Sequence, residues 1–344
     1  MSGESGIPTA FDRDLLASWL RWLAEQNVFI GTSSWKYEGW VGKLYDRENY
    51  LTRGKFSAAK FERECLNEHA DVFSTVCVDA GYYRFPSPEW IKGIMAQTPE
   101  HYRFTFKVTD EITARTFAKL ERHGNKGGQR NEHFLDAHLF QAGVLASLEP
   151  FREKVGVLIF EFSKFYPHDF ERGRDFVDAL DQFFGRLPKG WRYAVEIRNR
   201  SFLQPAYFQM LRSHGVSHVF NQWTKMPDVS TQWNLPDSKT SDMFAASRML
   251  LRSGRSYEEA VKLFTPYDSI KEPNEQARDT AVKMINETLE SQASPDPKAF
   301  FLYINNRLEG NSLETIFAIL VRLELWKRGL AFAIKKAPSK KMLF

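Results

Sequence analysis

Eight short apolar runs recur along the chain, at 28–32, 75–79, 104–107, 157–161, 193–196, 218–221, 243–248 and 300–305. They are near-continuous rather than strictly alternating, the pattern of strands buried on both faces of a parallel sheet. Helix-like sequence fills most of the intervals. Strand–helix alternation repeated eight times predicts an α/β fold, a TIM-type (β/α)8 barrel, and such barrels carry their reactive groups at the carboxyl ends of the strands. Most of the runs close on charged or amide side chains there: Asp79, Lys107, Glu161, Glu196, Asn221, Arg248 and Asn305. These residues are the first candidates for function.

The flanks of the barrel have their own patterns. Phe11, Leu15, Leu16, Trp19, Leu20 and Leu23 recur at helical spacing, so residues 1–27 read as an N-terminal extension with one amphipathic helix packed on the barrel. The barrel itself is assigned to 28–334, and 335–344 forms a basic tail with Lys335, Lys336, Lys340 and Lys341. Three insertions interrupt the rhythm. A Gly-rich stretch at 123–130 reads as a flexible loop, 225–241 carries Pro227 and Pro236 around Trp233, and 271–297 holds a helix after Pro273. The first two are placed as lids or rims over the strand ends.

At 344 residues the chain has room for one barrel with insertions, and 43% hydrophobic content with 29 Phe and 9 Trp can fill its core. Mean hydropathy of −0.44 and the lack of a long apolar run speak against a membrane partner. The net charge of +4, from 47 basic and 43 acidic side chains, is too balanced to mark a nucleic-acid binder by itself. Nucleic acid stays open because Arg115, Lys119, Arg122, Lys126 and Arg130 cluster around the Gly-rich stretch. Cys65 and Cys77 make no metal-type pair or disulfide framework, and the N-terminus lacks a secretory pattern, so a cytoplasmic location is expected. No feature of the sequence specifies an oligomeric state.

Glu196 is the leading acid/base candidate because a carboxylate closing an apolar strand projects over the barrel mouth. Lys107 joins it as a catalytic candidate, able to act as a cation, an electrophile or a desolvated nucleophile. Arg198 lies two residues beyond Glu196 on the same face. Asp79, Arg198, Asn221, Arg248, Asn305 and Asn306 are placed as substrate-binding groups, with Trp35, Tyr37 and Tyr82 offering flat faces and hydroxyls. Asn311, followed by Ser312 and Glu314, opens a helix after the last strand. An anion site is expected there from Gly310, Asn311 and Ser312, completed by Arg248 and Arg252, with Arg255 nearby.

Several of these segments resemble the YecE-like family, catalogued as domain of unknown function 72. They are Gly31-Thr32-Ser33-Ser34-Trp35-Lys36-Tyr37-Glu38-Gly39-Trp40, Tyr82-Tyr83-Arg84-Phe85-Pro86-Ser87, Thr98-Pro99 with Phe104-Thr105-Phe106-Lys107, Ala194-Val195-Glu196-Ile197-Arg198-Asn199, and Asn305-Asn306. Their order and spacing agree from about residue 28 to 330, and the resemblance implies the same barrel without supplying an activity. The chain departs from the family where many members place His: it has Ala114 after strand three, Asn199 after strand five and Arg248-Met249-Leu250 at strand seven. With three imidazole positions empty, neither a metal nor another cofactor is expected.

Two functions follow from the residues. One is a metal-independent enzyme, in the hydrolase class, acting on a small phosphorylated or sugar-like ligand. The other is a nucleic-acid-binding or processing protein in which aromatics stack on a base. A ligand-binding barrel without catalysis is a third possibility.

Overall fold

The computed structural model of the chain describes residues 10–79, 82 and 85–323. The basic tail at 335–344, the end of the expected barrel domain at 324–334, and Tyr83 and Arg84 of the motif lie outside the described residues.

Eight parallel strands close into a barrel. In chain order they are β1 (Val28–Thr32), β2 (Thr75–Val78), β3 (Arg103–Lys107), β4 (Val155–Phe162), β5 (Tyr193–Ile197), β6 (Ser217–Gln222), β7 (Phe244–Met249) and β8 (Ala299–Ile304). Each pairs with its sequence neighbours, and β1 closes the ring by pairing with β8 along its length and with β2 through Thr32 and Val76. Closure leaves no barrel strand with an unpaired edge. All eight expected strands are present within a residue or two of their sequence boundaries.

Side chains of the strands alternate between two cores. Leu158, Phe160, Val195, Phe220, Leu302 and Ile304 face the surrounding helices, while Phe29, Cys77, Val157, Ile159, Ala194, Val219, Ala246, Phe301 and Tyr303 pack together inside the barrel. Tyr303 bonds to Thr105 at 2.6 Å and meets Thr75 at 2.9 Å, which satisfies its hydroxyl in that interior. The N-terminal helix Arg13–Glu25 buries Leu16, Trp19, Leu20 and Leu23, and Trp19 stacks on Phe317 of the last described helix at 5.5 Å.

The insertions are more ordered than their composition suggests. Thr116 and Arg130 form an antiparallel bridge and Phe117 exchanges backbone hydrogen bonds with Gln129 and Gly128, so the Gly-rich stretch is a tied loop. The 225–241 segment contains the helix Val229–Trp233, and Trp233 is buried against Phe220 at 4.7 Å in the helix-facing core. Apolar contact draws that part of the segment outward from the mouth. The third insertion holds the expected helix, Glu275–Ser291, capped by Asn274. Among the described residues no helix is long and apolar enough to cross a membrane.

Candidate functional site

Two-residue periodicity builds the site. One step of two residues beyond the apolar interior positions Cys77, Ile159, Ala194, Val219 and Ala246 reaches Asp79, Glu161, Glu196, Asn221 and Arg248; the same step from Thr105 reaches Lys107. The top of the barrel interior is therefore polar because the strands continue their alternation after the apolar layers end. Glu161 and Glu196 are register partners on β4 and β5, and Asn221 and Arg248 are partners on β6 and β7.

Three cations and three carboxylates interlock there. Arg248 donates to Glu196 at 2.7 Å, to Glu161 at 2.8 Å and to Asp79 at 3.1 Å. Arg198 lies 2.6 Å from Glu196 and 3.1 Å from Glu161. Lys107 sits 3.0 Å from Glu161 and 3.7 Å from Asp79. Aromatic faces shield two of the cations: Tyr82 covers Lys107 at 4.0 Å and Trp223 covers Arg198 at 4.1 Å. Opposite charges at equal number allow this cluster to be buried, since an isolated charge in such a place would be prohibitively costly.

Electrostatics favour the charged forms of Glu161, Lys107 and Arg248. Burial opposes ionisation of Glu161, but Lys107, Arg198 and Arg248 override it and hold the carboxyl well below the usual carboxylate range. Burial likewise opposes the charge on Lys107, yet Glu161 and Asp79 raise its pKa above the ordinary lysine value. Lys107 is thus held as the ammonium rather than the neutral amine that a nucleophile would need. Burial lowers the charged state of Arg248 too, and is overcome chiefly by Glu196.

Depth separates the carboxylates. Glu196 is 0% exposed, whereas the side chains of Glu161 and Asp79 retain 11% and 29%. Glu196 is the most buried of the three and meets both guanidinium groups, and Asp79 is the most exposed. Arg198 Nη1, Arg248 Nε and Asn221 Oδ1 are buried without a hydrogen-bond partner, although Asn221 Nδ2 donates to the Ile197 carbonyl at 3.1 Å.

The other expected site residues divide. Trp35 is buried within the aromatic core of the first loop, and Tyr37 packs against Trp40 at 4.8 Å. Asn305 accepts the Arg307 amide at 2.9 Å, and Asn306 accepts both the amide and the hydroxyl of Ser312, at 2.7 and 2.8 Å. Asn311 caps the helix Ser312–Arg322 through the Glu314 amide at 3.0 Å. The reciprocal half of a capping box is missing, because Glu314 pairs with Lys43 and accepts the Ile270 amide instead. The amides of Ser312 and Glu314 are therefore already engaged by side chains, and Gly310 is pressed against the Ser269 carbonyl, 2.5 Å from where a Cβ would stand. Arg252 bonds to the Pro273 carbonyl at 2.7 Å and Arg255 pairs with Glu272 at 2.7 Å. Arg248 belongs to the central charge cluster, so the expected anion group is split between two places.

Sequence reasoning passed over three features. Trp223 gave no periodic signal, and Arg307 is an ordinary-looking residue after two asparagines. The third is His69, which anchors the end of β1. Thr32 Oγ1 gives its proton to the Ser34 carbonyl at 2.7 Å, so it accepts from His69 Nε2 at 3.0 Å, leaving Nδ1 to accept the Tyr102 hydroxyl at 2.9 Å. Burial pushes the His69 pKa down to about 3 and keeps the ring neutral for this role. Among the described residues no group of three or more His, Cys, Asp or Glu is arranged to hold a metal ion.

A side cavity of about 140 Å3 adjoins the cluster behind Tyr82, lined by Asp110, Thr113, Arg122, Ser163 and Asp169 among others. Asp110 is paired there with His123 at 2.9 Å and Arg122 at 3.3 Å.

No curated protein matches the chain. Among solved structures, a DUF72 family protein from Enterococcus faecalis V583 is similar over 86% of this chain and 95% of its own, at 19% identity and a TM-score of 0.57. A DUF72 family protein from Thermotoga maritima MSB8 is similar over 88% and 99%, at 19% identity and a TM-score of 0.54. Identities this low speak for the fold. The family model described as protein of unknown function DUF72 matches residues 29–341, nearly the whole barrel and its strand-end motifs, and on that ground the chain belongs to the DUF72, or YecE-like, family.

Proposed function

We propose that the barrel mouth binds a small phosphorylated or sugar-like molecule and acts on it by metal-independent acid/base chemistry of the hydrolase class. The observation that carries the reading is Lys107, a buried ammonium held between Glu161 and Asp79 under the face of Tyr82. A cation fixed in a shielded site stabilises negative charge developing on a bound group without reorganising. Asp79, the most exposed of the three carboxylates, is the group best placed to exchange a proton with a ligand. Glu196, the leading sequence candidate, serves in this reading by fixing Arg198 and Arg248.

The test is calorimetric titration of hexose and pentose phosphates against the wild-type protein, Lys107→Met and Asp79→Asn. Loss of the Lys107 charge is expected to weaken binding at least about tenfold, the usual weight of a charge-assisted contact. Labelled oligonucleotides are titrated alongside at two salt concentrations. Tight oligonucleotide binding that falls steeply with salt, with no heat from any small ligand, contradicts the proposal.

A further inference from the structure

The central cluster is electrically balanced, three cations against three carboxylates, so it offers a dianion no net attraction. Beside it stands a cation of a different kind. Arg307 follows β8, in the short turn Asn306–Leu308, and Asn305 fixes its backbone by accepting its amide. Arg248, Arg198, Arg252 and Arg255 each meet a carboxylate, whereas among the described residues none lies within 4.0 Å of Arg307. Its guanidinium rests over the ring of Tyr257, 4.6 Å from the centroid, and its Nε is buried without an acceptor.

Tyr37 connects this arginine to the mouth. Burial raises its phenol above the ordinary tyrosine value, and of the charges acting on it Arg307 lowers the value while Asp79 raises it. Tyr37 follows β1, which lies in the ring between β8 and β2, the strands that lead to Arg307 and Asp79. Its ring is held edge-on by Tyr267 at 5.6 Å. Tyr267 has a φ of 68°, in the left-handed region that a bulky side chain avoids. Two contacts keep it there. Asn311 Nδ2 donates to its carbonyl at 3.0 Å, and Gly39 lies so close that a Cβ would come within 2.2 Å of the Pro266 carbonyl oxygen. Loops after β1, β7 and β8, which are adjacent strands, thus pack together beside the turn that carries Arg307.

We infer that Arg307, backed by Tyr257, is the anion subsite of the mouth, taking the phosphate of a monoester whose hydroxyl-bearing body reaches Asp79 and Lys107. The inference rests on the small-molecule reading of that mouth. A planar fork suits phosphate, and a cation without a carboxylate partner can accept one without breaking an existing ion pair. The Tyr257 ring backs one face of the fork. This assigns phosphate recognition to the turn after β8 rather than to the capped helix at Ser312, whose first amides are occupied.

The experiment compares inorganic phosphate and sugar phosphates by calorimetry on wild type, Arg307→Gln, Arg307→Lys and Asp79→Asn, with circular dichroism confirming that each variant is folded. Arg307→Gln is expected to weaken both ligands by about tenfold or more, and Arg307→Lys by less, because charge survives while the fork is lost. Asp79→Asn is expected to weaken only the sugar phosphates. Inorganic phosphate that fails to bind the wild type, or that binds Arg307→Gln equally well, overturns the subsite. Sugar phosphates that bind no tighter than inorganic phosphate, with Arg307→Gln weakening both, uphold the subsite and count against the mouth reading alone.

Discussion

Removing two opposite charges from the buried cluster should cost less than the sum of removing each alone. Glu196 is fully buried and touches Arg198 and Arg248; Arg248 is 1% exposed and touches Glu196, Glu161 and Asp79. Glu196→Leu leaves three cations facing two carboxylates. Each arginine still has Glu161, at 3.1 and 2.8 Å, so the expected cost lies at the lower end of the range for breaking a buried pair, about 3 kcal/mol. Arg248→Met leaves the opposite imbalance, again with partial compensation through Lys107 and Arg198, and costs about 3–4 kcal/mol. The double variant restores neutrality, with Lys107 and Arg198 against Glu161 and Asp79. It should therefore be less destabilised than the sum of the singles by about 2 kcal/mol. Urea unfolding of the four proteins supplies the cycle, read from midpoints at unchanged slope. Single variants that unfold at the wild-type midpoint, or a double variant whose cost equals the sum, would falsify the interlocked cluster.

Two further outcomes concern the scaffold around the mouth. His69 and His218 are buried, with pKa values lowered by burial to about 3 and about 4, so the unfolded chain takes up protons below about pH 6.5 that the folded chain does not. Stability is then complete above about 6.5 and falls on acidification, by up to about 1.4 kcal/mol per pH unit for each ring; a urea midpoint that stays flat from pH 7 to 5 contradicts this. Gly39→Ala drives a Cβ toward the Pro266 carbonyl and is expected to cost about 1–3 kcal/mol, with a thermal melt unchanged from wild type as the opposing result.

Much of the architecture was legible in the sequence because strand and helix periodicities survive insertion. The alternation that put Ile159 and Ala194 inside the barrel also put Glu161 and Glu196 at its mouth, so the carboxylates could be named from spacing alone. Their depth could not. Whether Glu196 meets solvent depends on Arg248, which comes from a strand two places away in the ring and whose reach is set by the barrel's diameter. The same limit applied to the last helix. Asn311 was recognisable as a cap, but Lys43 and the Ile270 amide, which take its Glu314 partner, are distant in sequence. Arg307 carried no signal at all, since what distinguishes it is the lack of a nearby carboxylate, a property of the folded surroundings. The Gly-rich stretch failed in the other direction: composition suggested freedom, while the pairing of Thr116 with Arg130 and the Phe117 backbone bonds tie it down.

The central claim is that a small polar ligand occupies the carboxyl-end mouth of the barrel. The most direct measurement is a crystal structure of the protein grown with a saturating hexose phosphate. Density is expected with its phosphate against Arg307 and its hydroxyls within hydrogen-bond distance of Asp79 or Lys107. Density confined to the side cavity behind Tyr82, or an empty mouth at saturation, would contradict it.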